Sequence, residues 1–184
     1  MSSIRFAALL SVTIILTAVP ACGQETPDTR AFRPGGSTEC AVERVVDGDT
    51  FVCRGGERVR LLLVDTPELA QRPFGDSARA VARRLLPAGT RVRLVFDVDV
   101  RDRYDRLLAY VYVDAPPGDL AEPLLVNHEM VRTGMAVVAV YPPNVRLVEL
   151  LRAAADSART ERRGLWSGSA LECSPADYRA RRCR

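Results

Sequence analysis

Two short acidic clusters carry the chemistry in this chain: Asp47 and Asp49 within Val45-Val46-Asp47-Gly48-Asp49-Thr50-Phe51, and Asp65 and Glu68 within Val64-Asp65-Thr66-Pro67-Glu68. Carboxylates at this density suit a hard divalent cation that takes oxygen ligands, Ca2+ or Mg2+. Their mutual repulsion is costly unless a cation or arginine offsets it. Arginines lie close by, with Arg60 preceding Asp65 in one apolar run and Arg103 and Arg106 flanking Tyr104. A planar guanidinium holds a phosphate through paired hydrogen bonds and stabilises charge developing on its oxygens. Cation, carboxylate base and paired arginines together make a site suited to cleaving phosphodiesters. The plain alternative is a turn at Asp47-Gly48 and a helix-entry acid at Glu68, and the arginine pattern argues against it.

Strands must hold these side chains. Cys40 to Val46 and Phe51 to Cys53 read as a hairpin around Asp47 and Asp49, and Gly55-Gly56 supplies the next turn. Val59 to Val64 is a nearly continuous apolar run, as expected of a strand buried on most sides. Thr66-Pro67 ends it, and Ala78, Val81, Ala82 and Leu85 give helical spacing between Phe74 and Leu86. Val92 to Phe96 and Leu107 to Val113 read as two further strands. A second helix ends near Gly134, and Leu147, Leu150, Leu151, Ala154 and Ala158 mark a third between Asn144 and Arg163. The expectation is an α+β, mainly β, barrel of five strands with three helices, and the carboxylates meet at one rim if their strands are neighbours.

A length of 184 residues, 47% of them hydrophobic, fits one domain with modest extensions. The 26 basic residues are all Arg and exceed the 23 acids by three, which permits nucleic-acid binding without requiring it. Residues 1–21 read as a signal peptide, whose apolar stretch of about 14 residues is too short to span a bilayer. Cys22 follows small residues as in a lipobox, although Pro20 is uncommon there, and is a lipidation candidate. The expected location is therefore secreted, or anchored to the outer face of the membrane as a lipoprotein. Residues 22–38, rich in Pro, Gly and Thr, read as a flexible tether, 39–167 as the catalytic domain, and 168–184 as a C-terminal extension. Setting Cys22 aside leaves Cys40, Cys53, Cys173 and Cys183, an even set that predicts two disulfides with three pairings open, the most local being Cys40 with Cys53 and Cys173 with Cys183. No CxxC occurs and His128 is the sole histidine, so zinc is not indicated.

The ordered motifs VVDGDTF, RLLLVDTPE, DRYDRLLAY, LVNHEMVRTGMA and GLW, between about Val42 and Trp166, resemble those of staphylococcal nuclease-like (thermonuclease) proteins. The resemblance implies an OB-fold barrel, a monomer, and a Ca2+-dependent nuclease that hydrolyses DNA and RNA with little sequence preference. By position it implies Asp49 and Asp65 as metal-binding carboxylates, Thr66 as a backbone-carbonyl ligand, and Asp47 as a turn residue. Glu68 takes the place of the general base, and Arg60 and Arg106 those of the phosphate-binding arginines. Arg103, Tyr104 and Tyr141 fall where substrate is contacted, and stacking a base on such a ring is worth roughly 1–3 kcal/mol whatever the base. The sequence departs from the family at Asp105, where Gly is usual. An acid beside Arg106 is expected to weaken phosphate binding, so Asp105→Gly is expected to raise activity. The segment between Asp114 and Leu124 is longer than the family pattern. His128 reads as a surface residue and Trp166 as a lock for the last helix. The competing reading is a non-catalytic nucleic-acid-binding OB module, which the complete set of site residues disfavours.

Overall fold

A computed structural model describes residues 33–114, 121–168 and 172–183. The expected leader, Cys22, the first part of the tether and most of the long 115–123 loop lie outside the described residues. The chain forms β1 (Ser37–Val45), β2 (Thr50–Cys53), β3 (Arg58–Leu61), β4 (Val64–Asp65), α1 (Phe74–Leu85), β5 (Arg91–Val95), β6 (Leu107–Val113), β7 (Leu124–Leu125), α2 (Val126–Arg132), β8 (Val137–Val138), α3 (Val148–Thr160), a 3-10 turn (Gly164–Ser167) and α4 (Pro175–Arg179). The sheet begins at Ser37, two residues before the expected domain boundary.

Five strands close a barrel in the order β3-β2-β1-β5-β6, and the parallel pair β3–β6 joins its ends. Val59 lies opposite Leu107, Arg60 opposite Leu108 and Leu61 opposite Ala109. This is the five-stranded OB-type barrel with helices that the motifs imply. Closure removes the open sheet edges and encloses a core containing Val42, Phe51, Val59, Leu61, Leu94, Phe96 and Tyr110, all buried. The described residues carry a fourth helix beyond the expected three, the short α4 in the C-terminal extension.

One expected strand divides. The run from Val59 to Val64 is not continuous: β3 stops at Leu61, Leu63 adopts φ +61°, and the chain resumes as β4, which pairs with β8. Leu62, Leu63 and Val64 stay buried through the bend, which is why the sequence reads as unbroken. Arg60 holds the bend, its Nη1 donating to the carbonyls of Leu61 at 2.7 Å and Val64 at 2.5 Å. Asn127, fully buried on α2, adds a second brace by donating to the carbonyls of Leu62 and Ala109 and accepting from the Val111 amide. Past the bend, Asp65 pairs with Val137 of β8 and lies beside Arg60.

Both disulfides take the local pairing, Cys40 with Cys53 and Cys173 with Cys183. The first ties β1 to β2, and the second closes a loop around α4. His128 lies half-buried on α2 with Nδ1 3.4 Å from Glu129, away from the acidic rim. Trp166 packs under Arg159, whose guanidinium carbon sits 4.6 Å from the ring centre, consistent with a role in locking α3.

Candidate active site

The β1–β2 turn delivers the first carboxylates. Asp47 accepts the Asp49 amide at 3.0 Å, a local turn bond that folds the Asp47-Gly48-Asp49 segment over the barrel end. Gly48 is required there, since a Cβ would stand 2.7 Å from the Thr66 hydroxyl. Asp49 is buried, and its Oδ2 accepts from both the amide and the hydroxyl of Thr66 at 3.1 Å. The two acidic clusters, apart in sequence, are thus bonded directly to one another.

Arg60 joins them. Its Nη2 lies 3.2 Å from Asp49 Oδ2 and 3.4 Å from Asp65 Oδ1, and both acids are nearly inaccessible. Buried carboxylates at this separation need cationic partners. Asp47 records the crowding: burial, reinforced by the charge of Asp49, pushes its pKa up to about 6.

Glu68 stands on the loop entering α1. Its amide donates to the Gln71 side chain at 2.9 Å. Gly75, in the first turn of α1, lets the helix lie against this loop, because a Cβ would collide with the Glu68 carbonyl oxygen.

The opposite wall comes from the loop before β6. Asp102 accepts Arg106 Nε at 2.7 Å on Oδ2, with Nη2 of the same guanidinium 2.6 Å away as an ion pair, and accepts the amides of Tyr104 and Arg106 on Oδ1. Tyr104 is exposed and sits between Arg103, whose guanidinium carbon is 4.8 Å from the ring centre, and Arg106 at 5.4 Å. Arg103 also donates to the Tyr104 hydroxyl at 2.6 Å. Asp105 adopts φ +61°, the conformation that favours glycine, so its backbone matches the departure noted in the sequence. Its carboxylate does not face Arg106. It is 88% exposed and lies 3.3 Å from Arg101, which removes the stated reason for it to weaken phosphate binding at Arg106.

A cleft of about 570 Å3 opens between these walls. Asp49, Arg60, Thr66, Glu68, Arg103, Tyr104, Arg106 and Tyr141 all line it. Asp65 lies behind the lining, reached through Arg60. Tyr141 is exposed, on a loop that buried Asn144 pins by accepting the amides of Val98 and Asp99. Of the residues expected at the site, all but Asp65 line this cleft, and Asp65 is tied to it through Arg60.

Three neighbours carried no sequence signal strong enough to single them out. Arg179 Nη2 lies 2.7 Å from Asp65 Oδ2, and its Nη1 lies 3.0 Å from Glu68 Oε1, across more than a hundred residues of chain. Gln71 links the Glu68 loop to the carbonyl of Cys173 at 3.0 Å. Asp102 stands four residues before Arg106, a spacing visible in the sequence once the arginine is known to need an anchor.

The residues expected to bind metal, Asp49 and Asp65 with the Thr66 carbonyl, offer hard oxygen at one buried rim, a donor chemistry that fits a divalent cation of the Ca2+ class. Among the described residues no three His, Cys, Asp or Glu side chains are grouped to hold a metal by themselves, so main-chain oxygen and water must complete any such sphere.

The sequence profile described as Staphylococcal nuclease homologue matches residues 58–168. The chain belongs to the staphylococcal nuclease family. Among curated members, it is 37% identical over 138 residues to endonuclease YncB of Bacillus subtilis (strain 168), covering 70% of this chain and 61% of that protein. It is 36% identical to the SPbeta prophage-derived endonuclease YokF of the same strain, covering 70% of this chain and 44% of that one. To the thermonuclease of Staphylococcus intermedius it is 30% identical over 166 residues, covering 86% of this chain and 94% of that one. The chain thus spans less than two thirds of the two Bacillus proteins but nearly all of the staphylococcal one. Within the family match fall Arg60, Asp65, Thr66, Glu68 and the Arg103–Arg106 loop, whereas Asp49 precedes it and Arg179 follows it.

Proposed function

We propose that this staphylococcal nuclease family member is an exported, Ca2+-dependent nuclease that hydrolyses DNA and RNA with low sequence specificity. One observation carries the reading: Asp49, Thr66, Glu68, Arg60 and Arg106 share one cleft, with Asp65 joined to it through Arg60. The names of its relatives, endonuclease and thermonuclease, support it.

In this reading Asp49, Asp65 and the Thr66 carbonyl hold the ion. A bound Ca2+ would supply Lewis-acid polarisation of a phosphoryl oxygen. Glu68 orients the attacking water and accepts its proton. Arg60 and Arg106 hold the phosphate oxygens and stabilise their growing charge, with Asp102 fixing the plane of Arg106. Tyr104, Arg103 and Tyr141 stand along the cleft where flanking nucleotides pass, and exposed aromatic faces accept any base. The two disulfides favour an oxidising compartment, in keeping with export through the 1–21 leader and with either release or anchoring at Cys22.

The test is digestion of denatured DNA and of RNA by the oxidised protein, with Ca2+ or with chelator, beside Glu68→Gln. Expected are cleavage of both polymers, its loss with chelator, and a fall of about 10²–10⁴ in the variant. Binding without cleavage at any Ca2+ concentration would assign the chain to the non-catalytic OB modules instead.

A further inference from the structure

We propose that Arg179, delivered by the C-terminal disulfide loop, is a positioning residue of the site: it holds Asp65 and Glu68 and supplies positive charge beside the cation. The inference rests on the nuclease reading above.

The loop is built to present this side chain. Ser174 caps α4 by accepting the Asp177 amide at 3.1 Å, with Pro175 opening the helix. Arg182 donates to Asp177 at 2.7 Å, and Cys173 to Cys183 closes the loop. Gln71 then docks it, donating to the Cys173 carbonyl while accepting the Glu68 amide. One glutamine therefore sets the register between the loop and the segment bearing Glu68. Arg179, in the last turn of α4, extends from this platform to the two carboxylates.

Charge balance explains the purpose. Asp47, Asp49, Asp65 and Glu68 crowd one rim, where Arg60 forms ion pairs with Asp49 and Asp65. Arg179 is the second guanidinium there, and it bridges Asp65 to Glu68. Its fork fixes the two oxygens relative to one another, which a single point charge does less well. A phosphodiester approaching the cation-loaded site meets one more positive charge than it would without Arg179. The same charge opposes cation binding, because Asp65 must share its oxygens between guanidinium and ion.

This gives a signature that neither unfolding nor a passive tether produces. Arg179→Ala should bind Ca2+ about tenfold more tightly by calorimetry without nucleic acid, while kcat on denatured DNA falls about tenfold or more. The double variant Cys173→Ser/Cys183→Ser, which frees the loop, should move both quantities the same way by smaller amounts. Arg179→Lys should keep the Ca2+ affinity of the parent and recover only part of kcat. Arg181→Ala removes equal charge from an exposed position of the same loop, with no side-chain partner among the described residues, and should change neither.

Parental Ca2+ affinity and kcat in Arg179→Ala would overturn the proposal, as would weaker binding accompanied by a lowered melting temperature, which would mark the loop as scaffold alone. Failure of the parent to cleave sinks the nuclease reading, yet tighter Ca2+ binding in Arg179→Ala would still uphold the grip of Arg179 on Asp65. A parent that binds no Ca2+ overturns both.

Discussion

Arg106 Nε donates to one carboxylate oxygen of Asp102 at 2.7 Å, with Nη2 paired to the same oxygen at 2.6 Å, while the other oxygen takes two main-chain amides. Burial alone would raise the pKa of Asp102, but the Arg106 hydrogen bond and the amides of Arg106 and Tyr104 outweigh it and hold the group below the usual aspartate value. A depressed folded pKa means stability that is full above the unfolded value near 3.8 and lost as pH falls through the lower folded value. Urea midpoints followed from about pH 6 to about pH 2 should therefore separate the parent from Asp102→Asn at the upper end and converge at the lower. Curves that stay parallel throughout would contradict the pairing.

Arg60 serves both the bend after β3 and two buried acids, so its loss should be costly without calcium. Arg60→Ala is expected to lower stability by about 3–5 kcal/mol in chelator, the range for leaving buried charges unpaired. Added Ca2+ should restore part of that loss by neutralising Asp49 and Asp65. An equal loss with and without Ca2+, measured by urea unfolding, would mean that the carbonyls of Leu61 and Val64 dominate instead.

Asp105→Gly should leave turnover within about twofold of the parent. The carboxylate it removes is exposed and directed at Arg101, and glycine accepts the φ of +61° without strain. Steady-state rates on denatured DNA decide this, and a large rise would restore the expectation drawn from the sequence.

Gly75→Ala should reduce kcat about tenfold or more, with a smaller change in KM, because the new methyl collides with the Glu68 carbonyl and displaces the loop that carries it. Ala at most helix positions stabilises, so a loss here reports the close approach and not helix propensity. Unchanged kcat would show that the loop yields without moving Glu68.

The sequence was most legible where one signal determined one element. β6 matches its expected bounds of Leu107 to Val113 because a continuous apolar run there is bounded by polar Arg106 and Asp114. The break at Leu63 was invisible, since a buried bend and a buried strand demand the same apolar residues. What permits the bend is a hydrogen bond from Arg60 to carbonyls, and carbonyls leave no trace in side-chain composition. Asp49, Asp65 and Glu68 could be read from their local motifs. Arg179 could not, because its partners are fixed by how a distant disulfide loop docks, and an arginine among many carries no mark of its destination.

Barrel closure also orders events in time. The parallel pairing of Val59 with Leu107 and Arg60 with Leu108 brings together segments far apart in the chain, one bearing Arg60 and the other following directly on Arg106. Hairpins between neighbouring strands form from local encounters, whereas this pairing waits on a long loop search. A chain that has only its β1–β2–β3 meander holds Asp47, Asp49 and Arg60, but Asp65 and Glu68 follow it and nothing yet sets Arg106 opposite them. If the chain is the nuclease proposed above, recovery of cleavage during refolding should consequently lag the recovery of strand signal, because the site is complete only once the barrel has closed.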